Sequence, residues 1–468
     1  MNEENKADKE QFRDTLGIVS KEGKRKWIFP KKPKGRFHSA RAVVSAILLL
    51  FFFGTPFIRQ NGQPFFLFNI LERKFILFGS VFGPHDFFIL LIATLSIVVF
   101  IVLFTVVYGR VFCGWICPQT VFMEMVFRKI EYIIEGDALK QRALKVAPWT
   151  AEKFIKKFSK HLIFFAISFI IANTFLAWVI GTDKLFAVIT ESPSMHLTEL
   201  FATTLFSLIF YIVFSWFREQ ACILVCPYGR LQSVLLDQTS IVIAYDYLRG
   251  EPRGRIRKHE NQSWMGDCID CGQCVEVCPT GIDIRNGTQL ECINCTACID
   301  VCNFIMKKVK LPQGLIRFAS SNGIEERTGF KLTPRVVGYS IVLVILITLL
   351  TVMTLNRTQV DISILRTPGL LSQEQPEERI SNLYDVRIHN KTFNPMPLQL
   401  KLKVPDGEIK FAGSPLTNPA QTISESKFLI ILRRKNIRGM VTPVIVEVYS
   451  GGKKIDEIKT TFLGKAGQ

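Results

Sequence analysis

Five long apolar runs constrain this chain more than any other feature. They are AVVSAILLLFFFGTPFI (42–58), FFILLIATLSIVVFIVLFTVVY (87–108), HLIFFAISFIIANTFLAWVI (161–180), LTELFATTLFSLIFYIVFSWF (197–217) and VVGYSIVLVILITLLTVMTL (336–355). A bilayer core of about 30 Å is crossed by roughly 20 apolar helical residues, and each run is near that length. The apolar residues are blocked rather than periodic, which disfavours ordinary core helices. A five-helix transmembrane bundle is therefore expected. A polar segment precedes the first run and no small-residue cleavage site follows it closely, so that run is expected to be a retained anchor.

The net charge of +18 follows the same pattern. Lys and Arg are dense in 1–41 (KEGKRKWIFPKKPKGR), in 109–160 and in 218–334, and sparse in 59–86 and 181–196. Under the positive-inside rule the dense segments are cytoplasmic. An odd number of spans then puts 357–468 on the far side. Because the charges track the membrane flanks, membrane lipid is the expected partner and nucleic acid is not.

The chemistry is concentrated in DCIDCGQCVEVCPTGIDIRNGTQLECINCTACIDVC. Cys268, Cys271, Cys274 and Cys278 follow C-x2-C-x2-C-x3-C-P, and Cys292, Cys295, Cys298 and Cys302 repeat the spacing. This is the bacterial two-cluster ferredoxin pattern, in which the fourth cysteine of each run serves the other cluster. The expected sets are Cys268, Cys271, Cys274 and Cys302 for one [4Fe–4S] cluster, and Cys292, Cys295, Cys298 and Cys278 for the second. Paired zinc sites use two Cys-x2-Cys units instead. Disulfides do not suit a reducing cytoplasmic side. The turns in GIDIRNGTQLE suit a small α+β ferredoxin module with short strands. Gly250, Pro252 and Gly254 read as its opening linker. Arg249, Arg253, Arg255 and Arg257 read as lipid-headgroup contacts or as a solvated basic loop.

The other four cysteines form a twin motif. RVFCGWICPQT carries Cys113 and Cys117, and REQACILVCPYGR carries Cys222 and Cys226, each pair with the spacing Cys-x-x-x-Cys-Pro just after an apolar run. Residues four apart share a helix face, so each pair is expected to present two sulfurs together. Pro118 and Pro227 break the helix there. Amphipathic surface helices are expected next, in TVFMEMVFRKIEYII and RLQSVLLDQ. Four readings of the twin motif stay open: buried inert cysteines, a soft-metal site for copper, thiol redox chemistry, or an additional cluster held by four cysteines.

Of the six histidines (His38, His85, His161, His196, His259 and His389), none stands in the middle of an apolar run. There is no Cys-x-x-Cys-His haem site, Walker loop or dinucleotide fingerprint. Met195 and His196, in a short outer loop, are candidate copper contacts. Residues 357–468 alternate apolar and polar positions, as in LYDVRIHN and LQLKLKV, with turns at PDG and SGGKK. That pattern reads as an all-β sandwich without a disulfide.

YGRVFCGWICPQT, REQACILVCPYGRLQSVLLD, YDYLRGEPRG, the two cysteine runs and GLIRF together resemble the FixG/CcoG family of cytochrome oxidase accessory proteins, from about residue 36 onward. The resemblance implies a bacterial inner-membrane protein that helps to assemble cbb-type cytochrome c oxidase. It implies reduction of Cu(II) to Cu(I), with oxidase subunits or copper-delivery proteins as partners and an unidentified electron donor. It also implies an immunoglobulin-like form for the β-domain. The expected organisation is a cytoplasmic segment (1–38), four transmembrane helices with the twin motif (39–248), a ferredoxin module (249–320), a fifth helix (335–356) and a periplasmic β-domain (357–468). Two further readings remain: a quinol-linked ferredoxin-type subunit of a respiratory reductase, and a non-redox assembly scaffold.

Overall fold

The computed structural model describes residues 24–464 except 61, 71, 193, 256–263, 328–330, 359, 370–371, 377, 413–417 and 421, so Arg257 and His259 lie outside the described residues. Among the described residues, five helices are long and apolar enough to cross a membrane: α1 (Arg36–Gly54), α2 (Phe87–Tyr108), α5 (Ala151–Ile180), α6 (Leu197–Ile212, extended by turns to Phe217) and α10 (Pro334–Leu355). A helix satisfies its backbone internally, which the hydrocarbon core requires. Polar side chains in the spans do the same. Thr105, Ser207 and Asn173 each donate to the carbonyl four residues back, at 2.7–2.8 Å. α5 begins at Ala151, well ahead of its apolar run, so His161 lies within the helix, where its Nδ1 is 2.9 Å from the Tyr211 hydroxyl.

Between α2 and α5 lie α3 (Val111–Trp115), a π-helical stretch (Val121–Phe127) and α4 (Arg128–Ile134). The stretch expected to be a surface helix is instead largely buried. Phe122, Met123 and Phe127 form a core with Phe164 and Ile171 of α5 and with Phe214. The Phe127 ring stacks on Phe214 at 4.6 Å and meets Phe164 edge-on at 4.8 Å. The apolar face of this segment is covered by membrane helices rather than left on a surface.

Charge is buried beside that core. The Arg218 guanidinium donates two bonds of 2.9 Å to the Glu131 carboxylate, Lys160 reaches Glu135 at 2.9 Å, and Arg128 reaches Glu124 at 2.9 Å. Burial opposes ionisation of Glu131, but Arg218, Lys160 and Arg128 outweigh it and hold the carboxyl below the usual carboxylate range. Arg218 has φ 54°, a left-handed conformation that costs a non-glycine residue about 1–3 kcal/mol. The bidentate pair with Glu131 holds it there.

The module that carries the eight ferredoxin-type cysteines is closed by β1 (Val242–Tyr245) and β2 (Ile316–Ala319), paired antiparallel from Val242↔Ala319 to Tyr245↔Ile316. It therefore starts before residue 249. α7 (Pro227–Leu235), which follows the second thiol motif, lies just ahead of β1, and α8 (Gln273–Glu276) and α9 (Ala297–Lys308) lie between the two strands. GIDIRNGTQLE forms a 3-10 turn (Ile284–Asn286) and no strand. The expected opening linker is folded on: Gly250 abuts the Tyr245 ring, and Gly266 N donates to Pro252 O at 2.9 Å. The start of α1 docks here too, because the Asp300 carboxylate accepts from Phe37 N at 3.1 Å and His38 N at 2.8 Å.

Residues 74–87 and 351–468 form a separate compact unit. Its C-terminal part is all β: β3 (Val360–Arg366), β4 (Gln373–Gln375), β5 (Arg379–Asn390), β6 (Leu398–Leu402), β7 (Glu408–Phe411), β8 (Ile423–Arg433), β9 (Val441–Ser450) and β10 (Lys453–Leu463). One sheet runs β7-β8-β5-β3 with β4 also on β5, and the other runs β6-β9-β10. Tyr384, Phe428, Val446 and Phe462 fill the core between them. The hairpin of 74–82 was not foreseen in the sequence. Its neighbour Asp86 pairs with Arg357 at 2.8 Å and Lys391 at 3.1 Å within the same unit.

Glu131→Ala leaves Arg218 buried without its partner. Losing one partner of a buried pair costs about 3–5 kcal/mol. A clear drop in the thermal midpoint of the purified protein in detergent is expected, and Glu131→Asp should recover part of it.

Candidate iron–sulfur and thiol centres

The two ferredoxin-type runs repeat in backbone as well as in sequence. Asp270 (φ 49°) and Gly272 (φ 66°) flank Cys271, while Asn294 (φ 54°) and Thr296 (φ 67°) flank Cys295. Gly, Asn and Asp reach this left-handed region most easily. Thr296 is held in it by its hydroxyl, which donates to Cys295 O at 2.5 Å. Alternating left-handed residues turn successive N–H groups inward, the nest geometry found at many iron–sulfur sites. α8 and α9 begin at the same point of each repeat, after Gly272 and Thr296.

Cys268, Cys271, Cys274 and Cys302 line one cavity of about 30 Å³, walled by Ile269, Ile305, Met306, Leu315 and Ile316. The fourth sulfur comes from the other run. Cys292, Cys295, Cys298 and Cys278 are likewise electrostatic neighbours. Burial pushes the Cys274, Cys292 and Cys302 thiols up to about 12, and nearby sulfurs add to the effect. Crowded, desolvated sulfurs ionise when a cationic core binds them. Among the described residues, no three His, Cys, Asp or Glu side chains stand at the spacing of ligands on one metal ion. Sulfurs spread around a cavity suit a multi-iron core, in which each iron takes one thiolate. The first set surrounds a cavity that suits a cubane, and the second brings together the same four-thiol donor chemistry.

The twin motif also converges. Cys113 interacts with Cys117 and Cys226, and Cys222 interacts with all three others. Each half has one backbone plan. Cys117 N donates to Phe112 O at 3.0 Å and Cys226 N to Ala221 O at 2.9 Å, both spanning five residues. Cys117 (ψ 124°) and Cys226 (ψ 114°) are extended, and each proline opens the next helix. The expected helix face shared by residues four apart is thus replaced by a π-turn, which brings the second sulfur out of the helix. Cys113 Sγ lies 3.2 Å from Gln232 Oε1, Thr120 bonds to Cys222, and Thr105 and Tyr228 hydroxyls meet at 3.1 Å. Burial pushes Cys113 up to about 11 and Cys222 up to about 12, unlike the lowered values of reactive thiols.

This four-sulfur group sits directly on the second ferredoxin-type set. A Cβ on Gly114 would strike Ile293 O and come within 3.0 Å of Asn294 C. Arg110 donates to Leu290 O and, at 2.5 Å, to Gly229 O. A cavity of about 20 Å³ is lined by Thr120 and Cys222 on one side and by Pro279, Thr280 and Ile293 on the other. The other sequence candidates lie elsewhere. His196 pairs with Glu191 at 2.7 Å, and Met195 is exposed. Arg249 is tied to Asp267 and to Gln313 O at 3.1 Å, and Arg253 pairs with Glu251 at 3.9 Å. Arg110, Gly114, Thr120, Tyr228 and Gln232 escaped the sequence reading. Only their closeness to the cysteines within the repeated motif signalled them.

Comparison with known proteins agrees with this anatomy. Residues 217–321 match the 4Fe-4S dicluster domain, 90–135 a 4Fe-4S binding domain, and 350–465 the Ig-like fold found at the C terminus of FixG. The chain is 34% identical to Protein RdxA of Cereibacter sphaeroides, over 78% of this chain and 79% of that protein. It is 31% identical to Protein RdxB of the same organism, over 87% and 89%. It is 35% identical to the nitrogen fixation protein FixG of Rhizobium meliloti, over 64% and 58%. With its five apolar helices, its iron–sulfur domains and its Ig-like C-terminal domain, the chain belongs to the FixG family of iron–sulfur electron-transfer proteins.

Proposed function

We propose that this protein is a membrane-bound cupric reductase that supplies Cu(I) for assembly of a cbb-type cytochrome c oxidase. Cys268, Cys271, Cys274 and Cys302 hold one cubane, and Cys292, Cys295, Cys298 and Cys278 hold the other. When bound, the cubanes supply single-electron transfer at low potential. The twin-motif sulfurs Cys113, Cys117, Cys222 and Cys226 take the copper, because thiolates select Cu(I), and they close on it as it binds, since no three of them stand at single-ion spacing beforehand. The balance is one electron from a one-electron donor to Cu(II), giving oxidised donor and Cu(I). What chiefly supports this reading is the four-sulfur group packed, through Gly114, on the loop of the second cysteine set. The Lys and Arg distribution supports a cytoplasmic ferredoxin module with the β-domain on the far side of the membrane, and the family relationship supports a bacterial inner membrane, so that the far side is periplasmic. Oxidase subunits or copper-delivery proteins are the partners in this reading.

A second reading has its own support. The 4Fe-4S binding domain matched at 90–135 contains only Cys113 and Cys117 as thiols. In that reading the twin motif holds a third iron–sulfur centre.

Protein reduced anaerobically, freed of excess reductant and mixed with Cu(II) and a Cu(I)-specific chelator should yield Cu(I). A variant lacking Cys268 and Cys292 should yield at least roughly tenfold less Cu(I). Equal yields would refute the reductase reading. Cluster reduction by a quinol would favour a respiratory subunit, and clusters that never change oxidation state in cells would favour a scaffold.

Metal analysis of the Cys113/Cys117/Cys222/Cys226→Ala variant separates the two readings of the twin motif. Copper lost with iron unchanged supports the first, and iron lost supports the second. Gly114→Val, which has no room beside Ile293 and Asn294, should keep the iron of both ferredoxin-type sets and slow copper reduction.

A further inference from the structure

The two cysteine sets of the module have different electrostatic surroundings. Among the described residues, two arginines approach the first set, and both are neutralised. Arg285, beside Cys274, is bound to Asp283 at 2.7 Å and to Asp270 at 2.5 Å. Arg249, beside Cys302, is bound to Asp267. Two arginines also approach the second set, Arg110 beside Cys292 and Arg41 beside Cys295. Both are buried, at 7% and 4% exposure, and neither is hydrogen-bonded to a carboxylate among the described residues. Glu291 and Glu124 lie within electrostatic range and offset part of this charge.

Arg110 occupies a junction. It caps α3 of the first thiol motif, one amino group donates to Gly229 O of the second motif, and the other donates to Leu290 O of the ferredoxin run. Its Nε makes no hydrogen bond among the described residues. A buried guanidinium whose hydrogen bonds go only to carbonyls needs negative charge nearby, or its desolvation goes uncompensated. The groups it faces are Cys113 and Cys292, one from each cysteine system, followed by Glu291 and Tyr228.

We propose that Arg110 is a positioning residue that makes the second cysteine set the higher-potential one, and so fixes the order of electron flow: first set, second set, then the one-electron acceptor held at the twin-motif sulfurs, either Cu(II) or an oxidised iron–sulfur centre. Adding an electron adds negative charge, and a nearby buried cation favours that state. An electron taken up at the first set, where Cys271 is exposed to a soluble one-electron donor, then moves downhill to the second. It leaves across the Arg110–Gly114 seam. No bond or proton changes hands. The inference rests on the cubane assignment above but not on copper being the acceptor.

The test is a potentiometric titration of full-length iron-loaded protein, followed by the EPR of the reduced clusters. The wild type should show two midpoints. Arg110→Gln should lower the higher one so that its oxidised-to-reduced ratio at fixed potential rises about tenfold, which is about 59 mV for one electron. The lower midpoint should move much less. Arg110→Lys, which keeps the charge, should restore most of the shift. A shift of the lower midpoint, equal shifts of both, or no shift would overturn the proposal. If Arg110→Gln does not retain iron, Arg41→Gln serves the same purpose from the other side of the second set. It too should lower the higher midpoint, and its failure to do so overturns the proposal equally. Shifted midpoints without any Cu(I) production would leave the relay standing and refute the copper substrate.

Discussion

The contact between Gly114 and the Ile293–Asn294 backbone joins the chain's two cysteine systems. A side chain there would force the first thiol motif away from the second ferredoxin-type run. With the seam closed, Arg110 reaches carbonyls on both sides, and Cys113 and Cys292 share its charge. Electron transfer falls steeply with distance, so close packing is what turns two separate sets of thiols into one path. The nest-shaped loops, the raised thiol pKa values and the buried arginines describe sites that gain most when a cationic core binds the sulfurs.

The seam has to be held from behind, and a buried ion network does this. Glu131 on α4 fixes Arg218 at the end of the fourth span, four residues before Cys222, while Lys160 on α5 reaches both Glu131 and Glu135. Phe127, Phe164 and Phe214 pack beside it. Charges so deep are weak evidence of stability, since apolar replacements often serve as well. They do fix geometry. The positive φ at Arg218 separates the π-helical end of the fourth span (Val213–Phe217) from the π-helical turn that carries Cys222 (Ala221–Val225).

Much was legible in the sequence because it is local. The apolar runs gave helices near their expected places, and the β alternation of 384–404 gave paired strands. The ferredoxin spacing led to cysteines that share a cavity across the two runs. Three things were not legible. The i,i+4 rule assumes a regular helix, but Cys117 and Cys226 leave it through π-turns before their prolines. TVFMEMVFRKIEYII has the amphipathic pattern of a surface helix, yet which partner covers its apolar face depends on α5 and Phe214, far along the chain. Arg110 looked like one more basic residue at a membrane flank. Its role depends on Leu290 and Gly229, which only the fold brings to it.

The central claim is that Cu(II) at the twin-motif sulfurs takes electrons from the ferredoxin-type clusters. Freeze-quench EPR of reduced protein mixed anaerobically with one equivalent of Cu(II) tests it most directly. In the wild type, the reduced-cluster signal and the Cu(II) signal should disappear together, one spin of each per electron. In the variant lacking Cys113, Cys117, Cys222 and Cys226, both signals should persist on that timescale. Equally fast loss of both signals in the variant would contradict the account, because copper would then be taking electrons from the clusters without the four-sulfur site.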